Sequence, residues 1–128
     1  MTRPHKLPRH RALRVTEIAG KGRGLVAGAA IRGGEILEIA PVILLKRGEE
    51  PPRSSTLYDY PFKWDDPPYA EAIALGVLSM CNHSTDPNCD VDLFIDRKLV
   101  QLNAIRDIAE GEELTFDYGV SPWWEEKR

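Results

Sequence analysis

From about residue 12 onward, apolar and polar positions follow short β-like runs punctuated by glycine. Residues 12–15, 24–27 and 36–45 are rich in strand formers and are separated by Gly20, Gly22, Gly28, Gly33 and Gly34, the mark of strands joined by tight turns. Val91, Leu93 and Ile95 alternate with Asp92, Phe94 and Asp96, which favours a further strand. Residues 99–105 and 113–117 supply two more. The best helical candidate is 69–78, where Ala70, Ile73, Ala74 and Val77 fall at helical spacing, although the run is short and contains Gly76. The stretch 46–68 changes character. There Pro51, Pro52, Pro61, Pro67 and Pro68 are interspersed with Tyr58, Tyr60, Phe62 and Trp64. So many large rings suit an irregular insertion packed on the body better than a free linker.

The pattern contains one weak repeat. Ile31-Arg-Gly-Gly34-Glu35-Ile-Leu37 and Ile108-Ala-Glu-Gly111-Glu112-Glu-Leu114 share the form I-x-x-G-E-x-L. Each reads as an anchoring isoleucine, a glycine where a turn needs positive φ, and an entering strand. Two related β units gathered around one site would leave this trace.

Length and composition narrow the class. A chain of 128 residues fits one domain. Its 42% hydrophobic and 29% charged residues are ordinary for a globular protein that folds around one core without staples. Cys81 and Cys89 are too few for a disulfide framework and lack zinc-site partners, so no metal and a reducing, cytoplasmic setting are expected. No apolar run reaches membrane-spanning length, and the N-terminus lacks a secretory stretch, so no membrane association is expected.

Charge adds a division. Residues 1–11 read as a flexible basic arm, 12–119 as the folded domain (with 46–68 as its insertion) and 120–128 as a tail. The first fourteen residues carry Arg3, Lys6, Arg9, Arg11 and Arg14 and no acid. The remainder sets 12 basic against 20 acidic residues, a net charge of −8. Such a body suits a Lys/Arg-rich protein or peptide partner and disfavours nucleic acid, apart from a contact by the arm.

Three segments carry candidate chemistry. Gly20-Lys-Gly22-Arg23-Gly24-Leu25 lets backbone approach a ligand. It lacks the spacing of a dinucleotide or phosphate loop, and a tight hairpin explains it equally well. Asn82-His83-Ser84-Thr85-Asp86-Pro87-Asn88 follows an apolar run abruptly. Its Asn82 can donate and accept, and His83 can be a base, a ligand or a structural hub. In Glu112-Glu113-Leu114-Thr115-Phe116-Asp117-Tyr118-Gly119, alternation puts Phe116 and Tyr118 on one face. That face suits core packing or a narrow apolar channel ending in a hydroxyl.

The order and wording of GKGRGL, NHSTDPN and EGEELTFDYG resemble the SET domain of protein-lysine methyltransferases, over roughly residues 12–119. The resemblance implies a SET-type (β-clip) fold, mainly β with little helix, in which several small sheets surround a C-terminal pseudoknot. It implies S-adenosyl-L-methionine as methyl donor, held by Lys21, Gly22, Arg23, Gly24, Asn82, His83 and Tyr118. It makes Tyr118 the catalytic tyrosine, and Phe116 the position that governs how many methyl groups are added. Phenylalanine there implies di- or trimethylation. Thr85 stands where many relatives have a zinc-binding cysteine, and 120–128 has no cysteine, so the zinc site some of them carry is not expected. Trp123 is the candidate to close the donor site, with Trp124 beside it. Tyr60 and Trp64 are candidates to line the substrate channel. The short insertion leaves room for a second subunit to complete the groove as a homodimer. A binding module without turnover, or a small nucleic-acid-associated protein acting through the arm, are the competing readings.

Overall fold

The computed structural model describes residues 9–119. Nine strands follow one another: β1 (Leu13–Ile18), β2 (Gly22–Ala27), β3 (Ile36–Lys46), β4 (Phe62–Asp66), β5 (Tyr69–Ala74), β6 (Asn82–His83), β7 (Cys89–Phe94), β8 (Leu99–Ala104) and β9 (Glu113–Phe116). One 3-10 turn, Val77–Met80, lies between β5 and β6. The strands form a four-stranded sheet in the order β1-β2-β9-β6 and a five-stranded sheet in the order β4-β5-β3-β8-β7. Among the described residues no helix is long and apolar enough to cross a membrane.

The helical expectation over 69–78 fails. Residues 69–74 form β5, paired with β4 on one side and β3 on the other. Ala72 and Ala74 are buried two apart, the period of a strand. Two ladders of backbone hydrogen bonds outweigh the weak propensity of a short run that ends at Gly76. The insertion is likewise not wholly irregular, since it contributes β4. Phe62 and Trp64 share one face of that strand, so the rings pack inward as a pair of positions. The arm also joins the body earlier than residue 12. His10 N–H donates to the Leu37 carbonyl at 2.6 Å, and Arg9 Nε lies 3.5 Å from the Glu38 carboxylate.

The repeat turns out longer than the sequence pattern suggested, and its copies hold each other. Ile31 and Ile108 exchange two backbone hydrogen bonds of 2.9 Å, and both are buried. Gly34 and Gly111 adopt φ of 93° and 84°. Gly34 N–H donates to the Ala104 carbonyl, and Ala104 N–H to that of Glu35. Gly111 and Glu112 make the same two bonds with Ala27. The units therefore run Leu25–Leu37 and Leu102–Leu114, sharing L-x-A-x-x-x-I-x-x-G-E-x-L. Their four terminal leucines are fully buried.

β9 sits between β2, antiparallel to it, and β6, parallel to it. A late strand is thus inserted between two earlier ones. Asn88, 1% exposed, fastens it. Its Oδ1 accepts Thr115 N–H at 2.9 Å, while its Nδ2 donates to the Glu113 carbonyl at 2.8 Å and the Glu112 carboxylate at 3.0 Å.

Candidate active site

β9 brings the three motifs together. Antiparallel pairing sets Leu25 opposite Leu114, so residues before Leu25 lie against those after Leu114. On the other side Asn82 pairs with Thr115 and His83 with Phe116. Glycine makes this fit. A Cβ on Gly24 would lie 2.5 Å from Ile18 Cγ1 and 2.6 Å from Asn82 Nδ2, and Gly22 takes φ of 82°.

Glu113 organises the glycine loop. Its carboxylate accepts from Asn82 Nδ2 at 2.8 Å and pairs with Lys21 Nζ at 3.1 Å. Asn82 Nδ2 also reaches the Arg23 carbonyl at 3.4 Å. Glu113 was not singled out from the sequence, because nothing in Glu112-Glu113 says which of the two faces the loop.

Two cavities adjoin this cluster. The larger, about 330 Å³, is lined by Lys21, Gly22 and Arg23, by Ser55, Thr56, Asp59 and Tyr60 of the insertion, and by Ser79, Met80, Asn82 and Tyr118. The smaller, about 60 Å³, is lined by Asp59, Tyr60, Phe62, Leu78, Ser79, Cys81, Phe116 and Tyr118. Asp59, Tyr60, Ser79 and Tyr118 line both. The small one is ringed by apolar and aromatic groups. Phe62 stacks on Phe116 at 5.9 Å between ring centres, and Phe116 tilts against Tyr118 at 4.9 Å.

Tyr118 O–H donates to the Cys81 carbonyl at 2.5 Å. Burial, reinforced by the nearby Cys81, Asp59, Tyr60 and Glu113, pushes the phenol well above its usual range, so it keeps its proton near neutrality. With that proton aimed at Cys81, the oxygen lone pairs are left to accept. His83, 5% exposed, accepts Tyr118 N–H on Nδ1 at 2.9 Å. An amide can only donate, so Nδ1 is unprotonated and a neutral ring carries its proton on Nε2. Asp117 lies 3.6 Å from the same nitrogen, too far for a hydrogen bond. His83 thus positions Tyr118.

The buried carboxylate of Glu38, 3% exposed, supports the channel wall. It accepts Leu78 N–H at 2.8 Å and Val77 N–H at 3.3 Å, fixing the turn that carries Leu78 and Ser79. Trp64 requires a correction. It is 2% exposed and lines neither cavity, but a separate cleft with Lys63, Tyr69, Glu71 and Leu93. Its place in the channel is taken by Phe62, two residues earlier on the same strand. Tyr60 does line both cavities. Trp123 and Trp124 lie outside the described residues. Among those residues no group of three or more His, Cys, Asp or Glu is placed to hold a metal ion.

Comparison with known proteins agrees with this geometry. The family model described as the SET domain matches residues 22–119. The H3 lysine-37 specific histone-lysine N-methyltransferase of Schizosaccharomyces pombe is 28% identical over 117 residues, covering 90% of this chain and 78% of that protein. The trithorax histone-lysine N-methyltransferase of Drosophila virilis is 35% identical over 106 residues, 76% of this chain but only 3% of the relative. The H3 lysine-36 specific enzyme of S. pombe is 47% identical over 55 residues, 41% of this chain and 7% of the relative. A solved Plasmodium falciparum structure, named as a candidate histone methyltransferase, superposes with a TM-score of 0.68 at 26% identity, covering 90% of this chain and 98% of that one.

Proposed function

The chain belongs to the SET-domain family, and from that premise we propose that it transfers methyl groups from S-adenosyl-L-methionine to a lysine side chain of a basic protein, adding two or three. The observation that carries this reading is the pair of adjoining cavities that share Tyr118. The larger, about 330 Å³, falls within the size range of small-molecule sites, roughly 300–1,000 Å³. It offers Lys21, Arg23 and loop backbone to a polar amino-acid moiety. The smaller matches the narrow aliphatic stem of a lysine. When bound, the donor supplies an electrophilic methyl whose C–S bond breaks as the C–N bond forms, leaving a neutral thioether and a methylated ammonium.

The residues do the rest by placement. Attack needs a neutral amine, and the apolar ring of Phe62, Leu78, Phe116 and Cys81 favours loss of its proton through desolvation. Tyr118, its own proton committed to Cys81, offers lone pairs to C–H and N–H donors. His83 fixes the backbone from which Tyr118 projects. In-line displacement gains most from such fixed geometry. Phe116 leaves the channel without the hydroxyl that a tyrosine would insert beside Tyr118, which supports multiple methylation. A cytoplasmic, reducing setting belongs to the same proposal, supported by two buried thiols that are both free. The acidic body supports a basic protein substrate.

The test is mass spectrometry of host proteins exposed to the intact enzyme and to Tyr118→Phe, with folding checked by thermal melting. The variant is expected to lose about 10²–10³-fold in transfer rate, the usual cost of one preorganised polar contact. Equal methylation by both proteins would overturn the role of Tyr118. With excess donor, the intact enzyme should reach di- or trimethyl-lysine and Phe116→Tyr should stop earlier. A wild-type product that ends at monomethyl refutes the multiplicity.

A further inference from the structure

Of the four residues shared by the two cavities, Asp59 alone carries a charge. Tyr60 and Ser79 are neutral, and Tyr118 keeps its proton. Asp59 is also the only carboxylate on either lining among the described residues. It lies exposed in the insertion, while Lys21 and Arg23 reach the larger cavity from the β1–β2 side. Charge along the linings is therefore divided, with Lys21 and Arg23 at the glycine loop, where Glu113 offsets Lys21, and Asp59 where the cavities meet.

We propose that Asp59 selects for positive charge at that seam, favouring a sulfonium over its neutral thioether product. The inference rests on the methyl-transfer reading above and deepens it. Methyl transfer moves one positive charge from the larger cavity to the smaller, and a carboxylate on both linings faces that charge before and after. Such an arrangement holds the donor and loosens the spent thioether. Because Asp59 is exposed, its pull acts at modest strength and is screened by salt. It is a positioning residue: no bond forms to it.

The experiment measures dissociation constants of S-adenosylmethionine and S-adenosylhomocysteine by calorimetry for the wild type, Asp59→Asn and Asp59→Glu, at about 20 mM and 500 mM salt. At low salt Asp59→Asn should lower the preference for the sulfonium over the thioether about two- to fivefold, the range for an exposed charge beside a cationic ligand. Affinity for the thioether should barely move, Asp59→Glu should restore the preference, and high salt should shrink it in the wild type. Equal weakening of both ligands would assign Asp59 a merely steric role and overturn the proposal, as would an unchanged ratio. If the wild type binds neither compound, the methyl-donor reading itself falls, and this inference with it.

Discussion

Replacing Asn88 with alanine tests whether one amide holds β9 in place. Asn88 is 1% exposed, and its side chain makes four hydrogen bonds: two to the backbone of β9, one to Glu112 and one, at 3.4 Å, from the Cys89 thiol. Asn88→Ala leaves Thr115 N–H and the Glu113 carbonyl without these partners. An orphaned buried backbone group costs about 1–3 kcal/mol. The bonds to the half-buried Glu112 carboxylate and from the weakly donating Cys89 thiol add less. The expected loss is about 3 kcal/mol, a large part of the typical 5–15 kcal/mol total. With a urea slope of about 1.5 kcal/mol/M, the unfolding midpoint should fall by about 2 M. Asn88→Asp keeps the acceptor for Thr115 but turns an anion toward Glu112 and the Glu113 carbonyl. It should be at least as unstable at neutral pH and should recover partly in acid, where the protonated carboxyl can donate. A midpoint shift under about 0.5 M for Asn88→Ala would refute the reasoning, since not even one ordinary hydrogen bond would then have been lost.

Other outcomes follow from the same geometry. Gly24→Ala drives a methyl group against Ile18 and Asn82, and overpacking of about 1–3 kcal/mol should weaken S-adenosylmethionine binding about tenfold or more in calorimetry. Burial pushes the Cys81 thiol far above its ordinary range and that of Cys89 up to about 12, so neither should react with iodoacetamide at pH 8 until the protein is unfolded. Rapid native labelling counted by mass spectrometry would contradict this. The backbone N–H of Arg32 holds Glu35 below the usual carboxylate range, and that of Ala109 does the same for Glu112. Carboxyls depressed in the folded state stabilise it above their unfolded pKa, and that stability fades as pH falls through the lower folded values. Urea titrations should therefore show stability dropping between about pH 5 and 3, and a Glu35→Gln, Glu112→Gln double variant should flatten that drop.

What the sequence disclosed and what it withheld divide along a physical line. Short alternating runs between glycines located most of the strands, because a half-buried strand writes its period into neighbouring letters. Residues 69–74 misled for the converse reason: three alanines and an isoleucine suit either period, and only β3 and β4, distant in sequence, decide between them. Tyr60 and Trp64 looked equivalent as aromatic candidates. Strand β4 separates them by taking Phe62 to the channel and Trp64 into the core. Glu38 and Glu113 were not anticipated, since each acts through partners about 40 or 31 residues away, and Asp59 lines cavities that exist only after folding. Tyr118 and Phe116 were visible because an ordered set of motifs marked them. Their aromatic alternation by itself fits core packing equally well.

The repeat explains why segments so far apart meet at one place. Both copies obey one rule: the end of the strand before the turn pairs with the strand entering after the other copy's turn. Val26 pairs with Glu113, and Asn103 pairs with Ile36; each position in one pair has its counterpart 77 residues away in the other. The exchange is mutual, so neither unit is complete alone, and the isoleucine pair at its centre is buried with both backbone bonds made. Antiparallel pairing then forces a consequence. Whatever precedes Leu25 must lie against whatever follows Leu114, which brings Lys21–Gly24 to Thr115–Tyr118. The equivalent junction, around Leu102 and Leu37, runs on into the five-stranded sheet, where the position matching Thr115 is the buried Glu38 that braces the channel turn. One junction of the repeat thus lies beside the paired cavities, and the other braces a turn that lines them. The sequence that differs between the copies, outside the shared leucines, is where that division of labour was made.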